Sequence, residues 1–259
     1  MEESPVIQAV RRKVQKWINT HDCLRTLDLS NMNITELPAD IFAGCSELGI
    51  IDLCYNNLNE LPADLFAGCS ELRYIWLNNN QLTTLPANLF AGCYKLQGIN
   101  LGNNQLTKLP ADIFAGCSKS QSISLNSNKL IELPADLFAG CSELKYIHLQ
   151  DNKLTKLPAD LFAGCLKLAY IYLNNNRLTE LPANTECSEL EIIGFDEPII
   201  YEVIWFIPNL NKVCCWNGRT CKLKDKFPFE CALVERYRRV ANDPRSYAWS
   251  VRKYAILGL

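Results

Sequence analysis

The strongest regularity along the chain is a pattern of hydrophobic and polar positions that returns every 24 residues. Leu24, Leu48, Leu72, Leu96, Ser120, Leu144 and Leu168 open seven successive units, the last shortened to 22 residues and ending before Leu190. Each follows LxxLxLxxNxLxxLPAxxFAGCxx, as in the run from Leu72 to Cys93. A fixed period of this length marks stacked repeats, because a single unit cannot bury its own apolar face and needs neighbours to complete its core. In the LxL step the two apolar residues stand two apart and share one face of a short strand, pointing inward, so the residues at the third, fifth and seventh places point out. Proline in each Leu-Pro-Ala lacks the N–H that a central strand donates, so that segment is the non-strand return path.

The ninth place holds Asn56, Asn80, Asn104, Asn128, Asn152 and Asn176. The chain leaves the strand there, and a buried amide can bond backbone groups that the turn leaves unpaired. Stacked, these side chains form an asparagine ladder. The first unit has Met32 at this place, which suits an end unit without an upstream neighbour. The fifth unit opens with Ser120 in place of leucine and is expected to be the loosest, losing on the order of 2–5 kcal/mol of burial.

The seven units resemble the leucine-rich repeat family, specifically its 24-residue class with a leucine-proline step and a phenylalanine on the return path. The resemblance implies an α/β repeat fold: a right-handed solenoid, or horseshoe, with a parallel sheet on the concave side. The class is common in extracellular receptors and also occurs in intracellular proteins. Three regions follow: an N-terminal helical cap over 1–23, seven repeats over 24–189 and a mixed C-terminal cap over 190–259. In the first, Val6, Val10, Val14, Trp17 and Ile18 fall at helical spacing over 5–20, with Arg11, Arg12, Lys13 and Lys16 elsewhere on a solvated face. In the last, further short strands and helices near 230–241 and 244–257 are expected, separated by Asn242-Asp243-Pro244.

Composition narrows the function classes. At 48% hydrophobic the chain is too apolar for disorder. Its formal charge of −2 hides an asymmetry: residues 191–259 hold 11 Lys/Arg against 8 Asp/Glu and are +3, leaving −5 for residues 1–190. Neither value is of the size that implies nucleic acid as a partner. No apolar run is long enough to span a membrane, and the opening Met1-Glu2-Glu3-Ser4-Pro5 has neither a basic nor an apolar leader segment. An intracellular, cytoplasmic protein is expected, with a virion or a secreted effector as other locations, and most of the 13 cysteines as reduced thiols.

Candidate chemistry is sparse. Cys45, Cys69, Cys93, Cys117, Cys141, Cys165 and Cys187 form a column at an apolar place on the return path and read as small buried hydrophobes; their parallel Cβ vectors disfavour disulfides. Cys214, Cys215, Cys221 and Cys231 offer four thiols, but their spacing departs both from zinc knuckles and from the disulfide-bonded caps of secreted family members. They read as plain thiols, with no metal and no cofactor assigned. Neither a P-loop, HExxH nor GxSxG occurs, and His21 and His148 are the only histidines. Some bacterial effectors join a similar solenoid to a ubiquitin ligase domain, for which Cys231 would be the sole nucleophile; residues 190–259 are too few for one. A non-enzymatic protein is expected.

The outward places vary while the scaffold does not. Tyr74 with Trp76, and Tyr146 with His148, Tyr170 and Tyr172, form two aromatic clusters flanking a trough of small residues, with Asn78, Asn100 and Asn174 alongside. Exposed Tyr and Trp among asparagines, with few charges, is the composition of a protein-binding hot spot, although aromatics also pair across strands for stability. The expected function is a protein-binding module that uses this face, either as a monomer or within a hetero-assembly. The rival is a structural subunit, for example of a virus particle or cytoskeletal complex, that contacts neighbours through its regular convex face, edges and caps.

Overall fold

A computed structural model describes residues 3–20 and 25–178, together with the backbone of three further strands, 192–194, 212–214 and 220–222. Among the described residues one helix, α1 (Pro5–Thr20), precedes ten strands of three residues each: β1 (Thr26–Asp28), β2 (Ile50–Asp52), β3 (Tyr74–Trp76), β4 (Gly98–Asn100), β5 (Ser122–Ser124), β6 (Tyr146–His148), β7 (Tyr170–Tyr172), β8 (Ile192–Gly194), β9 (Lys212–Cys214) and β10 (Thr220–Lys222). They form one sheet in sequence order. β1 to β9 run parallel, and β10 returns antiparallel on β9. From β1 to β7 the register advances one unit per strand, Thr26 facing Ile50 and Ile50 facing Tyr74. The unit opening at Leu190 places β8 in the same register, with Ile192 beside Tyr170.

The core is one continuous column. The strand centres Leu27, Ile51, Ile75, Ile99, Ile123, Ile147 and Ile171 are buried, and with them the leucines of the sixth and eleventh places. Across from the strands, the return path is a chain of tight turns: Ile41 N–H donates to Pro38 O, Ala43 to Asp40 and Cys45 to Phe42 at 2.9–3.1 Å. These turns need a left-handed residue at one place, and glycine occupies it from Gly44 (φ 82°) to Gly164 (φ 82°). The turns also seat a spine of phenylalanines, Phe42, Phe66, Phe90, Phe114, Phe138 and Phe162, whose rings stack at 5.9–6.4 Å within 10° of parallel.

The ladder asparagines each serve their own unit and the one upstream. Asn104 accepts from Leu82 N–H at 3.0 Å and donates to the carbonyls of Leu77 and Leu101 at 3.0 and 3.1 Å. Asn56 makes the same bonds and also accepts from Met32 N–H at 3.0 Å, so the upstream unit that lacks its own asparagine still uses its neighbour's. Asn56, Asn80, Asn104, Asn128 and Asn152 are buried, whereas Asn176 is half-buried. Ser120, where a leucine was expected to be missed, is fully buried and its hydroxyl donates to Leu96 O at 3.2 Å.

Helix α1 starts at a hydrogen-bonded cap, Ser4 Oγ accepting from Ile7 N–H at 3.3 Å, with Pro5 at the first helical position. It buries Ile7, Val10 and Val14 in the core; Val6, Trp17 and Ile18 pack at its margin. The polar face is solvated, with Arg12, Lys13 and Lys16 exposed, and it also ties the helix to its surroundings: Arg11 bridges Glu3 and Asp40, and Lys13 Nζ donates to Asp28 O at 2.8 Å. The helices expected near 230–241 and 244–257 lie outside the described residues.

Candidate functional site

Alternation along each strand settles which side chains reach the open face. The third and fifth residues flank a buried centre in β1 to β7, so Tyr74, Trp76, Asn100, Tyr146, His148, Tyr170 and Tyr172 stand on the outer side of the sheet. Asn78 and Asn174, at the seventh place, are half-buried beside them. In the downstream cluster the parallel register puts like on like. Tyr146 stacks on Tyr170 at 4.8 Å and 11°, and His148 on Tyr172 at 4.7 Å and 10°. The four rings form two rigid slabs, and burial lowers the pKa of His148, favouring the neutral imidazole.

The upstream cluster is arranged differently from the sequence expectation. Trp76 stands 39% exposed, as does Tyr146. Tyr74 instead leans into the trough: its ring covers Gly98, where a Cβ would come within 2.9 Å of the Tyr74 ring, and its hydroxyl donates to Gln97 Oε1 at 2.8 Å. The Asn126 amide likewise lies over Gly102, whose N–H donates to Asn100 Oδ1 at 3.0 Å. The trough is therefore shallower than the run of small residues implies. Glycine at position 98 provided the signal, since it makes room for a neighbour's ring.

At the upstream end the face turns acidic. Asp28 and Asp52 occupy paired positions on β1 and β2, and Asp52 pairs with Trp76. Hydrogen bonds from the backbone and hydroxyl of Ser30, at 2.9 and 2.7 Å, hold Asp28 below the usual carboxylate range, with Lys13 adding to the effect. Cys54, next along on β2's flank, has its thiol pushed up to about 12 by desolvation and by Asp52. The column thiols behave as small hydrophobes: Cys45, Cys69, Cys93, Cys117 and Cys141 are free and buried, Cys165 is buried in the same column, and desolvation raises Cys69, Cys117 and Cys141 to about 12. Cys187, Cys215 and Cys231 lie outside the described residues. Cys214 pairs with Thr220 and Cys221 with Val213, so the two described cysteines of that group are not directly opposed. No group of metal-ligating side chains occurs among the described residues, and no helix there is long and apolar enough to cross a membrane.

A parallel one-strand-per-unit sheet, an asparagine ladder and a stacked phenylalanine return path define a class. The model of the leucine-rich repeat family matches residues 23–82, 70–130 and 121–178, and the chain belongs to that family. Among solved structures it is similar to a chain of the Toll–Spatzle complex of Drosophila, at 29% identity and a TM-score of 0.64, over 73% of this chain and 26% of that one. It is also similar to a chain of a TLR13–ssRNA13 complex, at 25% identity and a TM-score of 0.62, over 66% of this chain and 25% of that one. YopM from Yersinia enterocolitica shares the fold at 21% identity and a TM-score of 0.54, over 73% of this chain and 36% of its own. The chain thus spans between a quarter and about a third of the length of these neighbours. No curated protein sequence matches it.

Proposed function

We propose that this chain is a non-catalytic protein-binding module that grips its partner with the aromatic concave face. The observation that carries the reading is the pair of stacked slabs, Tyr146 on Tyr170 and His148 on Tyr172, held in register on an outward sheet face with Trp76 standing free upstream. Rigid rings lose little conformational entropy on contact and contribute large amphipathic area, which is why they dominate binding hot spots. A protein suits the face better than a nucleic acid. The outward places of β1 to β7 carry Asp28 and Asp52 and no lysine or arginine, so phosphates would meet like charge. The Toll neighbour is known in complex with Spatzle and the TLR13 neighbour with single-stranded RNA, so the fold accommodates either class and the side chains must decide.

The test is affinity capture from source lysate with the full chain beside Trp76→Ala/Tyr146→Ala, the two most exposed rings of this face, after circular dichroism shows that both fold. Loss of one specific partner with the variant is expected. Recovery of the same neighbours with both would favour the structural-subunit reading, in which convex face and edges make the contacts.

A further inference from the structure

The tenth residue of each unit follows the ladder asparagine and stands on the flank where the chain leaves the strand. From Asn57 through Gln81, Gln105, Lys129 and Lys153 to Arg177, each donates its backbone N–H to the carbonyl of the eleventh residue in the preceding unit at 2.8–2.9 Å. They therefore form one column of adjacent rungs. In its upstream half the column satisfies itself: Gln81 Nε2 donates to Asn57 Oδ1, and Lys129 Nζ to Gln105 Oε1, both at 3.0 Å. Downstream the amides give way to cations on three consecutive rungs, Lys129, Lys153 and Arg177, all exposed, with Lys156 three residues beyond Lys153. None of the four forms an ion pair among the described residues. Asp151, two residues before Lys153, instead accepts from Asn175 Nδ2 at 2.7 Å.

Like charges on neighbouring rungs repel, and the amide half of the same column shows that the fold does not require them. A second departure falls at the same spot. The twelfth place holds Thr35, Asn59, Thr83, Thr107 and Thr155 in other units, but Ile131 in the fifth, where the side chain is 54% exposed. An exposed apolar branch with Lys129 two residues before it and Lys153 on the next rung, the cations outnumbering the nearby carboxylates Glu132 and Asp151, is the layout of a small protein-docking patch with an apolar anchor and charge beside it.

We propose that the flank of units five to seven, built on Lys129, Ile131, Lys153, Lys156 and Arg177, docks a carboxylate-rich protein segment carrying an apolar side chain that covers Ile131. Charge complementarity sets the sign of the occupant. Ile131 sets its class, because a sugar-phosphate backbone would gain from the cations and nothing from an isoleucine. The patch shares no residue with the aromatic face, so each reading stands or falls separately.

The experiment is selection of a displayed library of random short peptides on the immobilised full chain, repeated on Lys129→Glu/Lys153→Glu/Arg177→Glu and on Ile131→Thr. Peptides that alternate Asp or Glu with Leu, Ile or Phe are expected to be enriched on the native chain. Their affinity should fall roughly tenfold or more on the charge-reversal variant and severalfold on Ile131→Thr, and weaken with added salt. Trp76→Ala/Tyr146→Ala should retain them. Absence of acidic enrichment, or equal affinity on the charge-reversal variant, overturns the proposal. So does tighter binding of a single-stranded oligonucleotide that is indifferent to Ile131→Thr, which would make the flank a polyanion surface.

Discussion

Asn80 accepts from Leu58 N–H and donates to the carbonyls of Leu53 and Leu77, all at 3.0–3.1 Å inside the core. Asn80→Ala orphans the buried Leu58 N–H, at about 1–3 kcal/mol, and removes two further bonds worth about 0.5–1.5 kcal/mol each, although Leu53 O still accepts from Asn56 and Leu77 O from Asn104. The expected loss is therefore several kcal/mol in chemical denaturation, well above that of an exposed asparagine such as Asn59→Ala. The residue just before each ladder asparagine sets a second constraint, because it must adopt a left-handed backbone: Asn79, Asn103 and Asn175 have φ of 52–57°, and Asp151 58°. Asn and Asp tolerate that region, whereas Tyr55 and Ser127, at 54°, are strained there. Ser127→Asn is expected to stabilise by on the order of 1 kcal/mol, read as a higher denaturation midpoint. A lower midpoint would mean that the hydrogen bond from Asn126 Nδ2 to Ser127 Oγ, at 3.2 Å, matters more than the backbone.

Strand, ladder and return path were legible in the sequence because each is a local rule repeated in phase: LxL gives the inward pair, asparagine the exit and proline with glycine the turns. What the sequence did not show is how side chains from neighbouring units settle against one another. Tyr74 was read as a partner of Trp76, yet the glycine one unit on lets its ring fold over Gly98. The phenylalanine spine and the Arg11 bridge to Asp40 are likewise contacts between elements that no single-unit pattern encodes. The stacked slabs on β6 and β7 carry a pH signature. Burial lowers the pKa of His148 from 6.5, so the unfolded chain takes up a proton first, and stability present at neutral pH is lost as pH falls below about 6.5 towards the folded value. Melting curves should show this acid-side loss in the native chain and a smaller one in His148→Gln. Identical pH profiles would mean that the imidazole is not desolvated against Tyr172. The cysteine column gives a separate check, since thiols raised to about 12 stay protonated at pH 8. Peptide mapping after iodoacetamide treatment should find Cys69, Cys117 and Cys141 unmodified in the folded chain and fully modified in guanidinium.

A solenoid has no closed core, so its stability at the scale of the whole molecule depends on what covers its ends. At the upstream end α1 brings Ile7, Val10 and Val14 onto the first unit, each side chain contributing about 1.5–3 kcal/mol when buried. The Arg11 bridge to Glu3 and Asp40 looks like the tie that fastens this helix, but its groups are largely exposed and water competes for them. The two contributions can be separated. Val10 is fully buried, so Val10→Asp places an unpaired charge where the cap meets the core and should cost several kcal/mol. Without its cover the first unit exposes the edge of an apolar column and the unpaired edge of β1, both of which favour association. The variant should therefore show an earlier, broader urea transition and higher-order species in light scattering. Arg11→Ala should leave both readouts nearly unchanged. If Arg11→Ala disturbed them as much as Val10→Asp, the helix would be held by its charges, and the solenoid's upstream end would weaken in high salt. If neither did, α1 would be dispensable and the first unit would close its own end, with Met32 and the neighbouring Asn56 completing the turn that the ladder leaves unfinished.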